Sequence, residues 1–347
     1  MVLTLGAAAF LCKGHTKVLC LRPNLRVGQE WGIYMSEKKW DVYVYGDVNI
    51  DIVIPNVNKF PAPGQEEEVP VMETFTGGGA ALFALGLGKL GLRPVFQGEV
   101  GDDCYGEFIR NAFRESNVDS SLLKTSSTLK TGLSLSFTNQ DDRSFLTYRG
   151  TNEKICIEEV DLKQVAYASH IHVTGYAGEA NHASYLSFLK KVKEDTQATV
   201  SFDVGWDPTE EWKPEICQLF PYIDVLFMNQ TEAANYSRKD SPREAAEEFA
   251  RTCGMAVVKL GRSGSIAVKD GTFYQAAPYP VEAVDTTGAG DSFNAGFIYG
   301  FLKGKDVEEC LKCGNGCGAL SVTALGGNTG FPNEETLKDF IAAREGR

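Results

Sequence analysis

The stretch "VDTTGAGDSFNAGF", residues 284–297, sets a carboxylate, Asp291, directly behind Gly288-Ala289-Gly290 at the head of an amphipathic run. Phe293, Phe297 and Phe301 recur at i, i+4 and i+8, the spacing of one buried stripe, and predict a helix that begins near Gly290 or Asp291. Small residues let a ligand approach the backbone closely. The N–H groups of a helix start, backed by the helix dipole, attract anions, most often phosphate. A plain N-cap is one use for Asp291. A carboxylate beside an anion cradle serves simple anion binding poorly, but it serves phosphoryl transfer well as the acceptor of a proton from an attacking hydroxyl. That transition state is loose, so positioning counts for more than base strength. The chemistry implied is that of a kinase, with Gly288, Ala289 and Gly290 holding phosphoryl oxygens and Asp291 activating the acceptor.

Competing motifs fare worse. No G-x-x-x-x-G-K-[ST] phosphate loop occurs. "GGGAALFALG", residues 77–86, with Glu99 downstream, imitates a dinucleotide fingerprint, but Leu82 stands where the third glycine belongs. Cys310, Cys313 and Cys317 in "CLKCGNGC" have a metal-site look, yet their spacing is also that of one helix face, and free cysteine packs as a small apolar residue. The nine cysteines are otherwise mostly single, which suits a reducing compartment better than a disulfide framework.

Elements able to position Asp291 follow from the patterning. "WDVYVYGDVNIDIVI" reads as two strands broken at Gly46-Asp47, "EEEVPVMETF" as an alternating polar strand, and "GGGAALFALGLGKLG" as a glycine turn leading into a small-residue helix. "RPVFQGEVG" is a strand, "YGEFIRNAFRESN" an amphipathic helix, and "TGLSLSFTNQDDRSFLTYRG" a hairpin. From "ASHIHVTG" the chain alternates short apolar strands with helices, passes through a second hairpin, "GSIAVKDGTFYQAA", and finishes in three helices. This alternation means an α/β fold, a mostly parallel central sheet with helices on both faces, and ligands beyond the carboxyl ends of its strands. The early polar strands, about 51–76, and the hairpin at 131–150 fall outside that sheet and read as a small β-sheet lid.

The bulk numbers bound the reading. With 347 residues, 43% of them hydrophobic, the chain can build a large core, and a net charge of −12 offers no basic field for nucleic acid or anionic membranes. No apolar run approaches the ~18 residues of a membrane span. Residues 1–29 hold Lys13, Lys17, Arg22 and Arg26 and no acid, a net +4, which leaves −16 for residues 30–347. Residues 1–34 are therefore expected to be a leader or extension outside a kinase domain of residues 35–347. The expected location is cytoplasmic, with organellar import through residues 1–34 as the alternative.

"DTTGAGDSFNAGF" resembles the C-terminal signature of the ribokinase-like (pfkB) family of carbohydrate kinases. The likeness spreads over about residues 40–345, through "GDVNID", "TGGGAALFALGLGKLG", "GEVGDDCYGEFI", "NQTEA" and "VVKLGRSGS". It implies a three-layer α/β/α sandwich, a lid over the sugar, homodimers through the lid, and ATP, Mg²⁺ and K⁺ as cofactors. It further implies Asp291 as catalytic base, Gly288, Ala289 and Gly290 as anion hole, and Asn49, Asp51, Gly78 and Gly79 as sugar contacts. Asn229 and Glu232 would act near the metal-bound triphosphate, or form only a helix N-cap. Lys259 and Gly261 would lie along the nucleotide and Asn315 near its base. Asp285, the Thr287 carbonyl and backbone around Ser321, Ala324, Gly326 and Gly330 resemble a monovalent-cation site.

Departures from the family pattern bear on substrate. Leu82 replaces the usual Asn, Gly175 stands near a carboxylate position of ribokinases, and "DVGWDP" lacks the Asn-x-Arg of some members. Arg149 is a candidate contact for an acidic or phosphorylated sugar. The expected reaction is phosphorylation of a hydroxymethyl group of a monosaccharide or sugar acid. The alternatives are a nucleoside kinase, for which Leu82 and the aromatic pair Trp206 and Tyr176 would suit a base, and a non-catalytic sugar-binding descendant.

Overall fold

The computed structural model describes residues 38–346 apart from 56, 58, 59 and 139–142. The expected leader, residues 1–34, lies outside the described residues. In chain order the strands are β1 (Trp40–Tyr45), β2 (Asn49–Ile54), β3 (Glu73–Gly77), β4 (Pro94–Gly101), β5 (Asp119–Ser126), β6 (Gly132–Thr138), β7 (Arg143–Tyr148), β8 (Ala168–Val173), β9 (Thr199–Asp203), β10 (Val225–Asn229), β11 (Met255–Lys259), β12 (Ser265–Lys269) and β13 (Thr272–Ala276). The helices are α1 (Gly79–Lys89), α2 (Cys104–Glu115), α3 (Leu162–Val165), α4 (His182–Asp195), α5 (Gln230–Ser237), α6 (Pro242–Phe249), α7 (Ala289–Leu302), α8 (Val307–Ser321) and α9 (Glu334–Glu345).

β1 is buried on both faces, as a central parallel strand must be. Val42 and Val44 enter one core with α1, α2, α7 and α8, while Tyr43 and Tyr45 enter the other with α4, α5 and α6. The nine-stranded sheet runs β13-β12-β11-β10-β9-β8-β1-β4-β5, and only β12 and β13 are antiparallel to their neighbours. β1 pairs with β4 on one side and β8 on the other, so the strand order switches there. In such sheets the crevice at the switch point takes the ligand. After β1 the chain leaves to form β2 and β3 before α1 and β4 return it, and after β5 it leaves again for β6 and β7; these four strands make a separate sheet of order β3-β2-β6-β7, the expected small sheet.

Three local outcomes differ from the sequence reading. The strand expected over "EEEVPVMETF" pairs only from Glu73, and residues 62–72 are exposed and irregular. Pro70 lacks a ladder donor, and Glu66, Glu67 and Glu68 are better solvated than paired. β5 has no clean alternation and is an edge strand, joined to β4 with a register shift between Val95 and Gln97. α7 begins at Ala289, slightly earlier than predicted, because Gly288 takes a left-handed φ of 71° as N-cap. A Cβ on Gly288 would also lie 2.6 Å from the Gly327 carbonyl oxygen.

α8 holds Cys310, Cys313 and Cys317 buried against α7. A Cβ at Gly296 would fall 2.5 Å from the Cys313 oxygen and 2.7 Å from Cys317 Sγ, and one at Gly300 3.2 Å from Cys310 Sγ. The three sulfurs fill a close helix–helix seam. Burial pushes Cys310 up to about 12 and Cys313 up to about 11, and raises Cys317 as well, so all three are neutral thiols.

Candidate active site

Three adjacent parallel strands end on polar residues: β9 on Asp203, β10 on Asn229 and β11 on Lys259. Lys259 Nζ donates to Asp203 Oδ2 at 3.0 Å and to Asn294 Oδ1 at 3.3 Å, and Asn294 Nδ2 donates to the same Asp203 oxygen. Burial opposes the Lys259 charge, yet Asp203, Glu232 and Asp291 together hold its pKa above the ordinary lysine value. A Cβ on Gly290 would sit 3.4 Å from this ammonium, so the cation lies directly against the glycine turn.

Asp291 is the third residue of α7, past the N-cap, so it does not cap the helix. Across the crevice stands the start of α1, where a Cβ on Gly79 would lie 3.1 Å from Asp291 Oδ1. Burial first, then the charges of Asp203, Asp47 and Asp51, hold the Asp291 carboxyl well above the usual range, with Lys259 pulling the other way. α1 is capped from a distance: Asp47 accepts from Gly79 N at 3.0 Å and from Ala80 N at 3.1 Å. Gly78 has a φ of 93°, and a Cβ there would meet the Asp47 carbonyl oxygen at 2.7 Å.

The small sheet contributes Asn49 and Asp51. Asn49 Nδ2 donates to Asp51 Oδ1 at 2.7 Å, and burial pushes the Asp51 carboxyl up to about 6, with Asp47 and Asp285 adding repulsion. Asn49, Asp51, Gly78, Gly79 and Asp291 thus gather at the switch-point crevice, with Gly288 and Ala289 leading into Asp291. Arg149, the remaining sugar candidate, is exposed just past β7, and no contact among the described residues joins it to Asp51 or Asp291. Leu82 is buried. Its Cδ1 would touch a Cβ on Gly288 or Gly327 at 3.0 Å, so it buttresses the turn. Trp206 packs edge-on against Trp212, while Tyr176 belongs to a cluster with His182, Tyr185 and Phe202.

On the other side of Gly290 opens a cleft of about 420 Å³. Lys259, Gly261 and Arg262 line its wall beside Phe293, Ala319 and Val322, and Asn315 stands in it with Nδ2 bonded to the Ala276 and Ala277 carbonyls. An apolar slot ending on helix N–H groups suits a purine nucleotide with its phosphates on α7. Asn229 and Glu232 form a full capping box on α5: Asn229 N donates to Glu232 Oε2 at 2.7 Å, Asn229 Nδ2 to Oε1 at 2.7 Å, and Glu232 N to Asn229 Oδ1 at 2.9 Å. Burial and Asp203 push Glu232 up to about 7. With both oxygens engaged, this pair fits the water shell of a phosphate-held Mg²⁺ better than direct ligation.

Asp285 is buried and ties two loops together. It accepts from Thr287 N at 2.9 Å and Thr287 Oγ1 at 2.7 Å, and from Gly326 N at 3.0 Å. A Cβ on Gly330 would lie 2.7 Å from the Ser321 oxygen, and Ala324 stands in the same loop. These segments bring a carboxylate and several carbonyls close together, the donor type a hard cation takes. No cluster of three or more His, Cys, Asp or Glu side chains with metal-holding geometry occurs among the described residues.

Asp47, Asp203 and Asn294 are residues of the site that the sequence motifs did not single out. Asp203 closes an apolar strand run, and position at a strand's carboxyl end is the signal that would have found it.

The profile described as pfkB family carbohydrate kinase matches residues 39–334. A Bacillus subtilis protein named 5-dehydro-2-deoxygluconokinase is 28% identical over 326 residues, 90% of this chain and 98% of its own. An Arabidopsis thaliana ribokinase solved with ribose and ATP superposes with a TM-score of 0.76 at 25% identity, covering 87% of this chain and 98% of that one. A nucleoside kinase from Methanocaldococcus jannaschii has the same fold, with a TM-score of 0.75 at 23% identity over 88% and 99% of the two chains. With that match across its sheet, crevice and cleft, the chain belongs to the pfkB family of carbohydrate kinases and is an ATP-dependent kinase.

Proposed function

We propose that the enzyme transfers the γ-phosphoryl group of ATP to a hydroxymethyl group of a monosaccharide or sugar acid, with Asp291 as general base and the Gly288–Gly290 turn as anion hole. The observation that carries this is the position of Asp291, between the acid- and glycine-lined crevice on one side and the nucleotide-sized cleft on the other. The bond from the γ-phosphorus to the ADP oxygen breaks as the bond to the acceptor oxygen forms, and the hydroxyl proton passes to Asp291. Asn49 and Asp51 hold acceptor hydroxyls, and Gly78 and Gly79 allow the sugar close to the backbone. Asn229 and Glu232 orient the water shell of Mg²⁺, which when bound neutralises phosphate charge. The loops around Asp285 take a monovalent cation, K⁺, through the Thr287, Ser321, Ala324, Gly326 and Gly330 backbone.

A sugar acid is the favoured acceptor within this class, since the Bacillus subtilis relative is named for one. Arg149, just past β7, supplies a cation for its carboxylate when the small sheet closes. The same sheet exposes Phe145, Leu146 and Tyr148 on its edge strand β7, which suits pairing with a second copy into a homodimer. The location proposed is cytoplasmic. No helix among the described residues is long and apolar enough to cross a membrane.

The test is ADP release from Mg-ATP with K⁺ across a panel of sugars, sugar acids and nucleosides, run beside Asp291→Asn. We expect turnover on one acceptor class and a fall of about 10²–10⁴-fold in the variant. A preference for nucleosides would move the assignment to a nucleoside kinase. Acceptor binding without ADP release would move it to a non-catalytic sugar-binding protein.

A further inference from the structure

We propose that Asp203 and Asn294 are positioning residues that aim the Lys259 ammonium at the phosphoryl group as it passes from the nucleotide cleft to the acceptor. The inference rests on the kinase reading above and assigns work to a buried triad drawn from three elements. Two of the three Lys259 N–H groups are engaged, by Asp203 Oδ2 at 3.0 Å and Asn294 Oδ1 at 3.3 Å. With those two directions fixed, the third is fixed as well. Lys259 lines the nucleotide cleft, and its Nζ lies against Gly290, where the anion-binding turn begins.

Asn294 closes the arrangement by donating to the same Asp203 oxygen. It lies three residues after Asp291, on the same face of α7. The anchor that orients the lysine therefore also pins the turn carrying the base. Lys259 and Asp203 side chains are 14% and 12% exposed, so this is a desolvated pair. A buried pair adds little to stability on its own, because desolvation offsets most of the attraction. A preorganised cation beside a group whose charge redistributes in the transition state is where such a pair has a use.

The experiment measures binding without any acceptor. Calorimetry compares MgADP alone with MgADP plus aluminium fluoride, a mimic of the phosphoryl group in transit, for wild type, Lys259→Met, Asp203→Asn and the double variant. We expect each single variant to lose about 10–10³-fold more affinity for the fluoride complex than for MgADP alone. The double variant should be no worse than Lys259→Met, because Asp203 acts through the lysine. Equal losses for MgADP alone, additive losses in the double variant, or no loss would each overturn the proposal. If thermal melts show that Lys259→Met does not fold, Lys259→Arg keeps the charge but moves it, and the same selective loss is required. The Asp291→Asn turnover assay is a separate measurement, so failure of the base assignment is distinguishable from failure of this one.

Discussion

Asp51 has its carboxyl held at about 6, mainly by burial, against an ordinary value near 3.8. A native pKa above the unfolded one means that the proton favours the fold. That stabilisation is complete below about pH 4 and is lost as pH rises through 6. At pH 8 the charged side chain therefore costs up to about 3 kcal/mol, since each tenfold change in a proton equilibrium corresponds to ~1.4 kcal/mol. Asp51→Asn removes the charge while keeping a partner for Asn49. The variant should melt a few degrees higher than wild type at pH 8 and at nearly the same temperature at pH 4, while sugar phosphorylation falls. A lower melting temperature at pH 8 would contradict the burial argument. Glu232, pushed up to about 7, follows the same sign over a higher window. The fold gives up stability where acidic side chains are needed.

At the scale of elements, α7 is both the carrier of Asp291 and the partner of α8 across a glycine–cysteine seam. Gly296→Ala adds a Cβ 2.7 Å from Cys317 Sγ and 2.5 Å from the Cys313 carbonyl oxygen, which cannot retreat without moving α8. Urea unfolding should show a loss of about 1–3 kcal/mol, and loss of kcat in the folded fraction would follow from the shifted first turn. Unchanged stability would mean that the seam is looser than these distances require. This seam was legible in the sequence because its residues are local, three and four apart on one helix. The hairpins at 131–150 and 264–277 and the run from Gly288 to Phe301 were legible for the same reason. Asp47 capping a helix 32 residues away, and Asp203 meeting Lys259 across 56, were not. Such pairs exist only once strand order is fixed, and nothing in the local pattern around "FDVGWDP" announces a partner. Glu73–Gly77 shows the converse case, where an alternating pattern extended further than pairing could follow.

The described residues form a sheet covered on both faces by separate cores, with the reactive groups gathered beyond the carboxyl ends of its strands. Asp51 arrives on the small sheet, Asp47 and Gly79 on the β1 crossover, and Lys259 and Asp291 from the C-terminal half, so no fragment holds the site. The buried sulfurs beneath α7 then acquire a second meaning. Cys104 and Cys156 are exposed, whereas Cys310, Cys313 and Cys317 are sealed in the core and kept as unreactive thiols. Alkylation followed peptide by peptide should therefore be biphasic, fast at Cys104 and Cys156 and slow at the α8 sulfurs. Mg-ATP at 100 times its dissociation constant should slow the second phase about 100-fold, because ligand binds only the closed form. Equal rates at Cys317 and Cys104 would refute the sealed seam. The enzyme carries, in its own sulfur atoms, a clock that counts how often the floor beneath the phosphate comes apart.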